Sequence, residues 1–173
     1  MKKNIILFAV VLVTLCSCNN ASNAGNPKNP ATGDAIVKSG LEVLVKNDFE
    51  PLKGKKIGLL TNPSGVDRNL NSTIDILFNA EGVELVKLFA PEHGVRGDIY
   101  AGGHADDEVD GKTGLPVLSI YGKTLKPTPE MLEGLDAVVY DIQDVGARSY
   151  TFISALGLMM RSCAENDVEV IVL

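Results

Sequence analysis

The 173-residue chain is long enough for one domain with a hydrophobic core, and its hydrophobic content of 45% and charged content of 22% are ordinary for a globular protein. A net charge of −6 and the lack of any Lys/Arg run argue against nucleic acid as a partner. Trp is absent and aromatic residues make up only 5%, so an aromatic platform for stacking sugars or bases is not obvious.

The chain begins with a pattern typical of an exported lipoprotein. Lys2 and Lys3 precede an apolar run at 5–15 that is too short for a comfortable membrane span. The run ends in Leu-Cys-Ser-Cys, which resembles a bacterial lipobox and would make Cys18 the lipidated first residue of the mature protein. The alternative is an ordinary cleaved signal with incidental cysteines. We expect a signal peptide at 1–17, a flexible tether at 18–33, and a lipid anchor on a membrane surface of the cell envelope.

From residue 34 onward, helix and strand patterns alternate. Asp34 can cap a first helix whose apolar stripe comprises Ile36, Val37, Leu41, Leu44 and Val45. Further helices are predicted from Asn71 or Ser72 to Asn79, at Thr128-Pro129-Glu130, and from Ser149 to Asn166. The last of these has an apolar side formed by Phe152, Ile153, Leu156, Met159, Met160 and Cys163. Strands are predicted at 55–60, 84–90, 116–120, 136–142 and 168–173.

Continuous apolar strands separated by helices indicate a parallel sheet that is covered on both faces. We therefore expect an α/β fold, a three-layer Rossmann-like domain with a mostly parallel sheet over 34–173. Neither a G-x-G-x-x-G nor a G-x-x-x-x-G-K-[ST] motif follows a strand, so no nucleotide cofactor is predicted. The apolar run at 168–173 would need a following loop and helix, so we expect the sequence to be part of a longer protein.

Polar residues cluster after two of the predicted strands in a way that suggests a site. The strand at 84–90 is followed by an acid, a base and a cation, namely Glu92, His93 and Arg96. The strand at 55–60 is followed by a turn in which Asn62 and Ser64 could bind a ligand hydroxyl. For that turn, bonding to its own backbone is the favoured alternative.

The third strand end, at 140–150, has an unusual density of polar side chains. Those predicted to bind substrate are Asp141, Gln143, Arg148 and Tyr150, and Asp144 is a catalytic candidate. Strand alternation places Tyr140 and Ile142 on one face and Asp141 on the other. Asp144 could instead anchor the helix entry, with Arg148 as its ion-pair partner.

The carboxyl ends of parallel strands lie at one edge of a sheet, so these three strand ends can converge. Glu92 with Asp141 or Asp144 could then supply the two carboxylates of glycoside cleavage. Arg96 or Arg148 could bind an anionic substrate group in a bidentate contact. His93 is either an acid/base group or a residue with satisfied hydrogen bonds. Because the carboxylate separation is unknown, retention or inversion stays open.

Metal binding is the less favoured interpretation of the acidic and histidine residues near this loop. His93, His104, Asp106, Asp107 and Glu108 do not have the spacing of a known zinc site, and the acidic run at 106–110 is predicted to be a solvated loop. Cys163 is predicted to be a small core residue. No metal is expected.

Several motifs in order resemble the NamZ-type exo-β-N-acetylmuramidases of bacteria. They are G-L-L-T-N-P-S-G-V-D at 58–67, F-A-P-E-H-G-V-R-G at 89–97, G-L-P-V and S-I-Y-G at 114–122, and D-I-Q-D-V-G-A-R-S-Y-T-F at 141–152. The similarity runs from about residue 41 to residue 173. It implies a Rossmann-like domain followed by a smaller C-terminal domain that is missing here.

The resemblance also implies a function and a catalytic residue. The family's reaction releases N-acetylmuramic acid from the non-reducing ends of peptidoglycan fragments. Glu92 in P-E-H-G is the best catalytic candidate. The family's other polar motif positions are matched by His93, Arg96, Gln143, Asp144, Arg148 and Tyr150.

The expected ligands are oligosaccharides or muropeptides that contain N-acetylmuramic acid, whose lactyl carboxylate would give a nearby arginine a role. Two alternatives stay open. An esterase or amidase would need a nucleophile, and Ser64 lacks a G-x-S-x-G setting. The second alternative is a lipoprotein that binds muropeptides or sugars without cleaving them.

Overall fold

A computed structural model describes residues 37–97, 99–100 and 108–173 of the chain. The predicted signal peptide, Cys18, the tether and the proposed cap Asp34 lie outside these residues. So do His104, Asp106 and Asp107 of the acidic loop.

The described residues contain a six-stranded, mostly parallel sheet. Its strands are β1 (Lys56–Thr61), β2 (Glu84–Ala90), β3 (Glu108–Val109), β4 (Pro116–Ser119), β5 (Ala137–Asp141) and β6 (Glu169–Val172). Their order across the sheet is β3-β4-β2-β1-β5-β6, and only the β3–β4 pair is antiparallel among the pairings of these strands. Without the antiparallel β3, the order is β4-β2-β1-β5-β6. Numbered along the chain, these five parallel strands lie in the order 3-2-1-4-5, which is the Rossmann order. This confirms the predicted α/β fold class.

Helices cover both faces of the sheet and give the predicted three layers. The helical elements are α1 (Gly40–Lys46), a 3₁₀ turn (Glu50–Leu52), α2 (Thr73–Phe78), α3 (Pro129–Leu132) and α4 (Phe152–Glu165). Leu44 of α1 and Leu77 of α2 share one buried cluster with Leu59 of the sheet. Leu132 of α3 and Met159 of α4 share the other buried cluster.

The first helix begins later than the sequence pattern predicts. Ser39 caps it, because its hydroxyl accepts from the Glu42 N–H and the Glu42 carboxylate accepts from the Ser39 N–H. Val37 lies before the helix with 89% of its surface exposed, and Val45 is 43% exposed. The predicted apolar stripe was therefore wrong at these two residues: the capping box at Ser39 leaves Val37 outside the helix, and Val45 is exposed within it. The stripe residue Ile36 lies outside the described residues.

The last helix is also shorter than predicted, beginning at Phe152 instead of Ser149. Its buried side follows Phe152, Ala155, Met159 and Cys163 at helical spacing, whereas Ile153 and Met160 are 58% and 50% exposed. Those two apolar residues lie about a quarter turn off the buried stripe, so the predicted apolar side was too wide.

Cys163 is fully buried between α4 and the sheet, as predicted for a core residue, and burial raises the pKa of its thiol to about 11. No helix in the described ranges has the length and apolar character needed to cross a membrane.

Candidate active site

The carboxyl ends of β1 and β5 form the centre of the candidate site. β1 lies between β2 and β5, so the chain reverses its direction of travel across the sheet at the β1–β5 boundary. In open α/β sheets, ligands bind in the crevice outside this switch point. Here the Thr61 hydroxyl donates to the Asp141 carbonyl at 2.7 Å, and the Gln143 N–H donates to Ser64 Oγ at 2.8 Å. The first and third polar strand ends are therefore joined directly.

Asn62 and Ser64 are used to build the turn after β1. Asn62 Oδ1 accepts from the Ser64 N–H at 2.9 Å and from the Ser64 hydroxyl at 2.6 Å. Asn62 is only 7% exposed. Of the two interpretations of these residues, the geometry favours the backbone-turn role, in which they hold the β1 and β5 loops together.

Glu92 lies two residues beyond β2, which is the neighbour of β1 in the sheet. Its carboxylate is hydrogen-bonded by the Tyr121 phenol and contacted by the Thr151 hydroxyl at 3.4 Å. Tyr121 follows β4 and Thr151 is the N-cap residue of α4, so three elements meet at this carboxylate. Glu92 is half-buried, which leaves part of it open to a ligand.

Both contacts suit a group that changes protonation state. A hydroxyl can donate to a carboxylate and can also accept from a carboxylic acid. Hydrogen bonding to the Glu92 carboxylate raises the pKa of Tyr121, and burial and the nearby negative charge add to this shift.

His93 adopts a left-handed backbone conformation with φ of +73°, and Gly94 follows with φ of +75°. Such conformations are uncommon for residues other than glycine, so the tight turn after β2 is built with some local strain. The His93 Nδ1 lies 3.2 Å from the Ile99 carbonyl oxygen. A carbonyl only accepts, so Nδ1 carries a proton in this contact, which is the tautomer that leaves the lone pair on Nε2.

Arg96 is paired with two carboxylates inside the protein. Its Nε and Nη2 bind Asp110 in a bidentate contact, and its Nη2 also lies 3.1 Å from Asp75 Oδ1. Lys112 is a further partner of Asp75. This pairing argues against the predicted contact between Arg96 and a substrate carboxylate, because Asp110 and Asp75 already neutralise the charge of Arg96.

Asp110 corrects the predicted role of the acidic run at 106–110. It is 5% exposed and accepts from the Thr113 N–H and hydroxyl in addition to Arg96. Arg96 holds the pKa of Asp110 well below its usual range. The end of the run is thus a buried anchor, and the prediction of a solvated loop was wrong at Asp110. Its partner Arg96 lies fourteen residues earlier in the chain, so the charges of the acidic run alone do not predict this ion pair.

The two carboxylates predicted to pair with Glu92 are placed differently. Asp141 lies on the opposite face of the sheet from Tyr140 and Ile142, as predicted, and its carboxylate accepts from Thr73 at the start of α2. Burial raises the pKa of Asp141, and the Thr73 hydrogen bond partly offsets this. Glu92 contacts the start of α4, which packs on the other face. Asp141 is therefore directed away from Glu92.

The loop at 143–150 after β5 is mostly exposed. Asp144 is half-buried and accepts from the Gly146 N–H at 2.7 Å. The alternative ion pair between Asp144 and Arg148 does not form, and Arg148 has no ion-pair partner among the described residues. The Gln143 side chain donates to the Asp144 carbonyl, and the Tyr150 ring lies 6.1 Å from the Phe152 ring. These side chains are available to a ligand at the crevice.

Sequence reasoning missed Tyr121 and Thr151, two residues whose hydroxyls lie beside Glu92. Tyr121 lies in the S-I-Y-G motif, directly after β4, and Thr151 lies in the motif that follows β5. The signal that could have found both residues is their position beyond a parallel strand end. Across the described part of the chain, no group of three or more His, Cys, Asp or Glu side chains is arranged to hold a metal ion.

Residues 57–173 match the family model described as the N-terminal part of the exo-β-N-acetylmuramidase NamZ. The chain belongs to the NamZ family. The match covers the sheet from the second residue of β1 onward and all three polar strand ends, and it confirms the resemblance found in the sequence motifs.

Relatives of the NamZ family support this assignment. The peptidoglycan β-N-acetylmuramidase NamZ of Bacillus subtilis (strain 168) is 44% identical over 173 residues, which is 100% of this chain and 42% of that protein. A crystal structure of a DUF1343 family protein from Bacteroides fragilis NCTC 9343 is 57% identical, with a TM-score of 0.72 over 79% of this chain and 34% of that one. A second DUF1343 structure from that organism is 32% identical, with a TM-score of 0.62 over 80% of this chain and 35% of its own. This chain thus spans about two-fifths of the curated relative's length.

Proposed function

We propose that this chain carries the catalytic acid of an exo-acting glycoside hydrolase that releases N-acetylmuramic acid from the non-reducing ends of peptidoglycan fragments. The observation that carries the proposal is the placement of Glu92. Its half-buried carboxylate lies beyond β2, beside the switch point, and has hydroxyls from two other elements next to it. The named activity of the Bacillus subtilis relative supports the same reaction class.

In this proposal Glu92 acts as general acid and protonates the oxygen of the departing sugar. Asp144 is the best second carboxylate, because Asp141 is turned toward Thr73 on the other face of the sheet. His93 offers the lone pair of Nε2 as a hydrogen-bond acceptor. Gln143 and Tyr150 lie on the exposed loop near the crevice and bind sugar hydroxyls.

The lactyl carboxylate of the substrate is assigned to Arg148. Arg148 is exposed and unpaired within the described ranges, whereas Arg96 is neutralised by Asp110 and Asp75. A guanidinium binds a carboxylate through two parallel hydrogen bonds, which fixes both position and orientation. The predicted ligands are therefore N-acetylmuramic acid-containing oligosaccharides or muropeptides.

The location of the reaction follows from the N-terminal pattern. Lipidation of Cys18 would tether the catalytic domain to a membrane surface through residues 19–33, in the cell envelope where muropeptides occur. Metabolic labelling with a fatty-acid analogue tests this, and label retained in Cys18→Ser would contradict it.

The test of the activity is the release of a chromogenic group from a β-N-acetylmuraminide by the natural full-length polypeptide. Glu92→Gln keeps the size of the side chain but removes the transferable proton, so kcat should fall by roughly 100-fold or more. Glu81→Gln, an exposed carboxylate in the turn before β2, is the matched control and should retain activity.

Full activity in Glu92→Gln would contradict the assignment of the acid. Saturable binding of the muraminide without turnover in the natural protein would favour a non-catalytic binding lipoprotein. Cleavage of an ester or amide substrate with the glycoside left intact would favour another envelope hydrolase.

A further inference from the structure

A small pocket lies directly beside Glu92 on the α4 face of the sheet. Its floor and walls are formed by Ile120, Leu125, Ala155 and Leu158. Pro91, the residue before Glu92, is also part of the lining. Tyr121 and Thr151 line the pocket and also contact the Glu92 carboxylate. A group held here is therefore one side chain away from the proposed catalytic acid.

The size of the pocket restricts what can enter it. Its volume is about 100 Å³. A water molecule needs about 10–15 Å³ on this scale, and an apolar cavity of about 150 Å³ holds a benzene ring. The pocket therefore has room for a short substituent of a few heavy atoms but not for a pyranose ring.

The chemistry of the lining restricts the occupant further. None of the residues that line the pocket carries a charged side chain, so it does not suit a carboxylate or an amine. The Ser154 hydroxyl lies at the pocket, and no hydrogen bond from it to any described residue is present. An apolar wall with a free hydroxyl at its edge matches a neutral acyl amide, whose methyl group is apolar and whose amide needs a polar partner.

We propose that this pocket receives the acetamido group of the sugar whose glycosidic bond is cleaved. This inference rests on the proposed function and adds a specificity site to it. The acetyl methyl packs against Leu158 and Ala155, and the amide bonds the Ser154 hydroxyl. The lactyl carboxylate stays outside the pocket, where Arg148 is available.

The experiment compares chromogenic β-muraminides that carry N-acetyl, N-propionyl or N-butanoyl groups, using the natural full-length polypeptide. One methylene too many in an apolar pocket is worth roughly 10- to 200-fold in kcat/KM. The wild-type protein should therefore prefer N-acetyl by that factor per added methylene. Leu158→Ala opens the pocket and should reduce the preference over N-butanoyl by roughly tenfold or more.

Ile153→Ala is the matched control, since Ile153 lies on α4 with its side chain 58% exposed and away from the pocket. It should leave the acyl preference unchanged. If the wild-type protein turns over the muraminides and Leu158→Ala leaves the acyl preference unchanged, the pocket is not the acetamido site.

A binding readout separates this failure from failure of the proposed function. In saturation-transfer NMR with N-acetylmuramic acid, the acetyl methyl should receive the strongest saturation. Leu158→Phe fills the pocket and should weaken that signal, while Ile153→Ala should retain it. If no muraminide is cleaved, the glycosidase proposal fails, and the methyl signal still decides the pocket. A methyl signal unaffected by Leu158→Phe would overturn the assignment.

Discussion

Two hydroxyl groups, those of Tyr121 and Thr151, lie beside the Glu92 carboxylate. They approach it from β4 and from α4, while Glu92 itself belongs to the loop after β2. Three separate chain segments must therefore be in place before the acid is oriented. Such support from neighbouring side chains is what holds a reacting group in a productive geometry.

The contact between Glu92 and Tyr121 predicts a measurable pKa change. The carboxylate raises the pKa of Tyr121 above its ordinary value of 10.0, chiefly through the hydrogen bond between the two groups. Glu92→Gln replaces the charged acceptor of that hydrogen bond with a weaker neutral one, so the pKa of Tyr121 should fall toward the ordinary value. Titration of the ¹³Cζ signals of the four tyrosines by NMR would measure this shift.

Tyr121→Phe assigns the signal, because its spectrum lacks the Tyr121 resonance. Tyr140 serves as an internal reference, since burial raises its pKa to about 12 by a cause that does not involve Glu92. An unchanged Tyr121 titration in Glu92→Gln would show that the two side chains are not in contact.

At the scale of elements, the turn after β1 depends on a residue with no side chain. A Cβ at Gly65 would lie 2.1 Å from the Thr61 hydroxyl oxygen and 2.9 Å from the Asp141 carbonyl oxygen. Those are the two atoms whose hydrogen bond joins β1 to β5 at the switch point. The close packing of this turn therefore keeps the centre of the site in register.

Gly65→Ala should reduce the free energy of unfolding by roughly 1–3 kcal/mol, the usual cost of forcing an extra carbon into a packed region. Gly157→Ala is the matched control in α4, because a Cβ there meets nothing within 4 Å and Gly157 is exposed. It should stabilise the protein by about 1 kcal/mol, because alanine loses less backbone entropy in a helix. Urea denaturation measures both, and equal effects of the two substitutions would contradict this account.

The elements that were predicted well are those with a local cause. The strand 84–90, the Ser72 cap of α2 and the Thr128-Pro129 start of α3 are all found in the structure. The start of α1 was wrong because Ser39 and Glu42 form a reciprocal cap that competes with the more distant Asp34. Periodicity finds a helix, and hydrogen bonds at its ends determine where it begins.

At the scale of the whole molecule, the sequence predicted the place of the site better than its internal contacts. Parallel strand order follows from the alternating pattern, and it brings Asn62, Glu92 and Asp141 to one edge of the sheet. Which carboxylate pairs with which partner depends on contacts between residues far apart in the chain. No spacing rule predicts two such pairs, which are Arg96 with Asp110 and Asp141 with Thr73.

The Arg96–Asp110 pair also affects the stability of the whole domain, because it ties the loop after β2 to the segment before β4. The Asp110 side chain is 2% exposed and that of Arg96 is 28% exposed. Removing one partner of a buried ion pair leaves an uncompensated charge and costs about 3–5 kcal/mol. We expect Asp110→Asn to cost roughly 3 kcal/mol, near the lower limit, because Arg96 keeps Asp75 as a partner and retains some contact with water.

This loss should depend on pH in a defined direction. Arg96 holds the pKa of Asp110 below its ordinary value of 3.8, so the folded protein binds the proton less readily than the unfolded chain. The stabilisation is therefore complete above about pH 5 and is lost as the pH falls below the ordinary value. Urea denaturation from pH 7 to pH 2 should show the wild-type protein and Asp110→Asn converging in acid.

The control is Glu165→Gln, which breaks only exposed pairs with Lys126 and Arg161 and should cost less than about 1 kcal/mol. A constant gap between the wild-type protein and Asp110→Asn across that pH range would mean that the carboxylate stabilises the domain through its shape and hydrogen bonds and not through its charge.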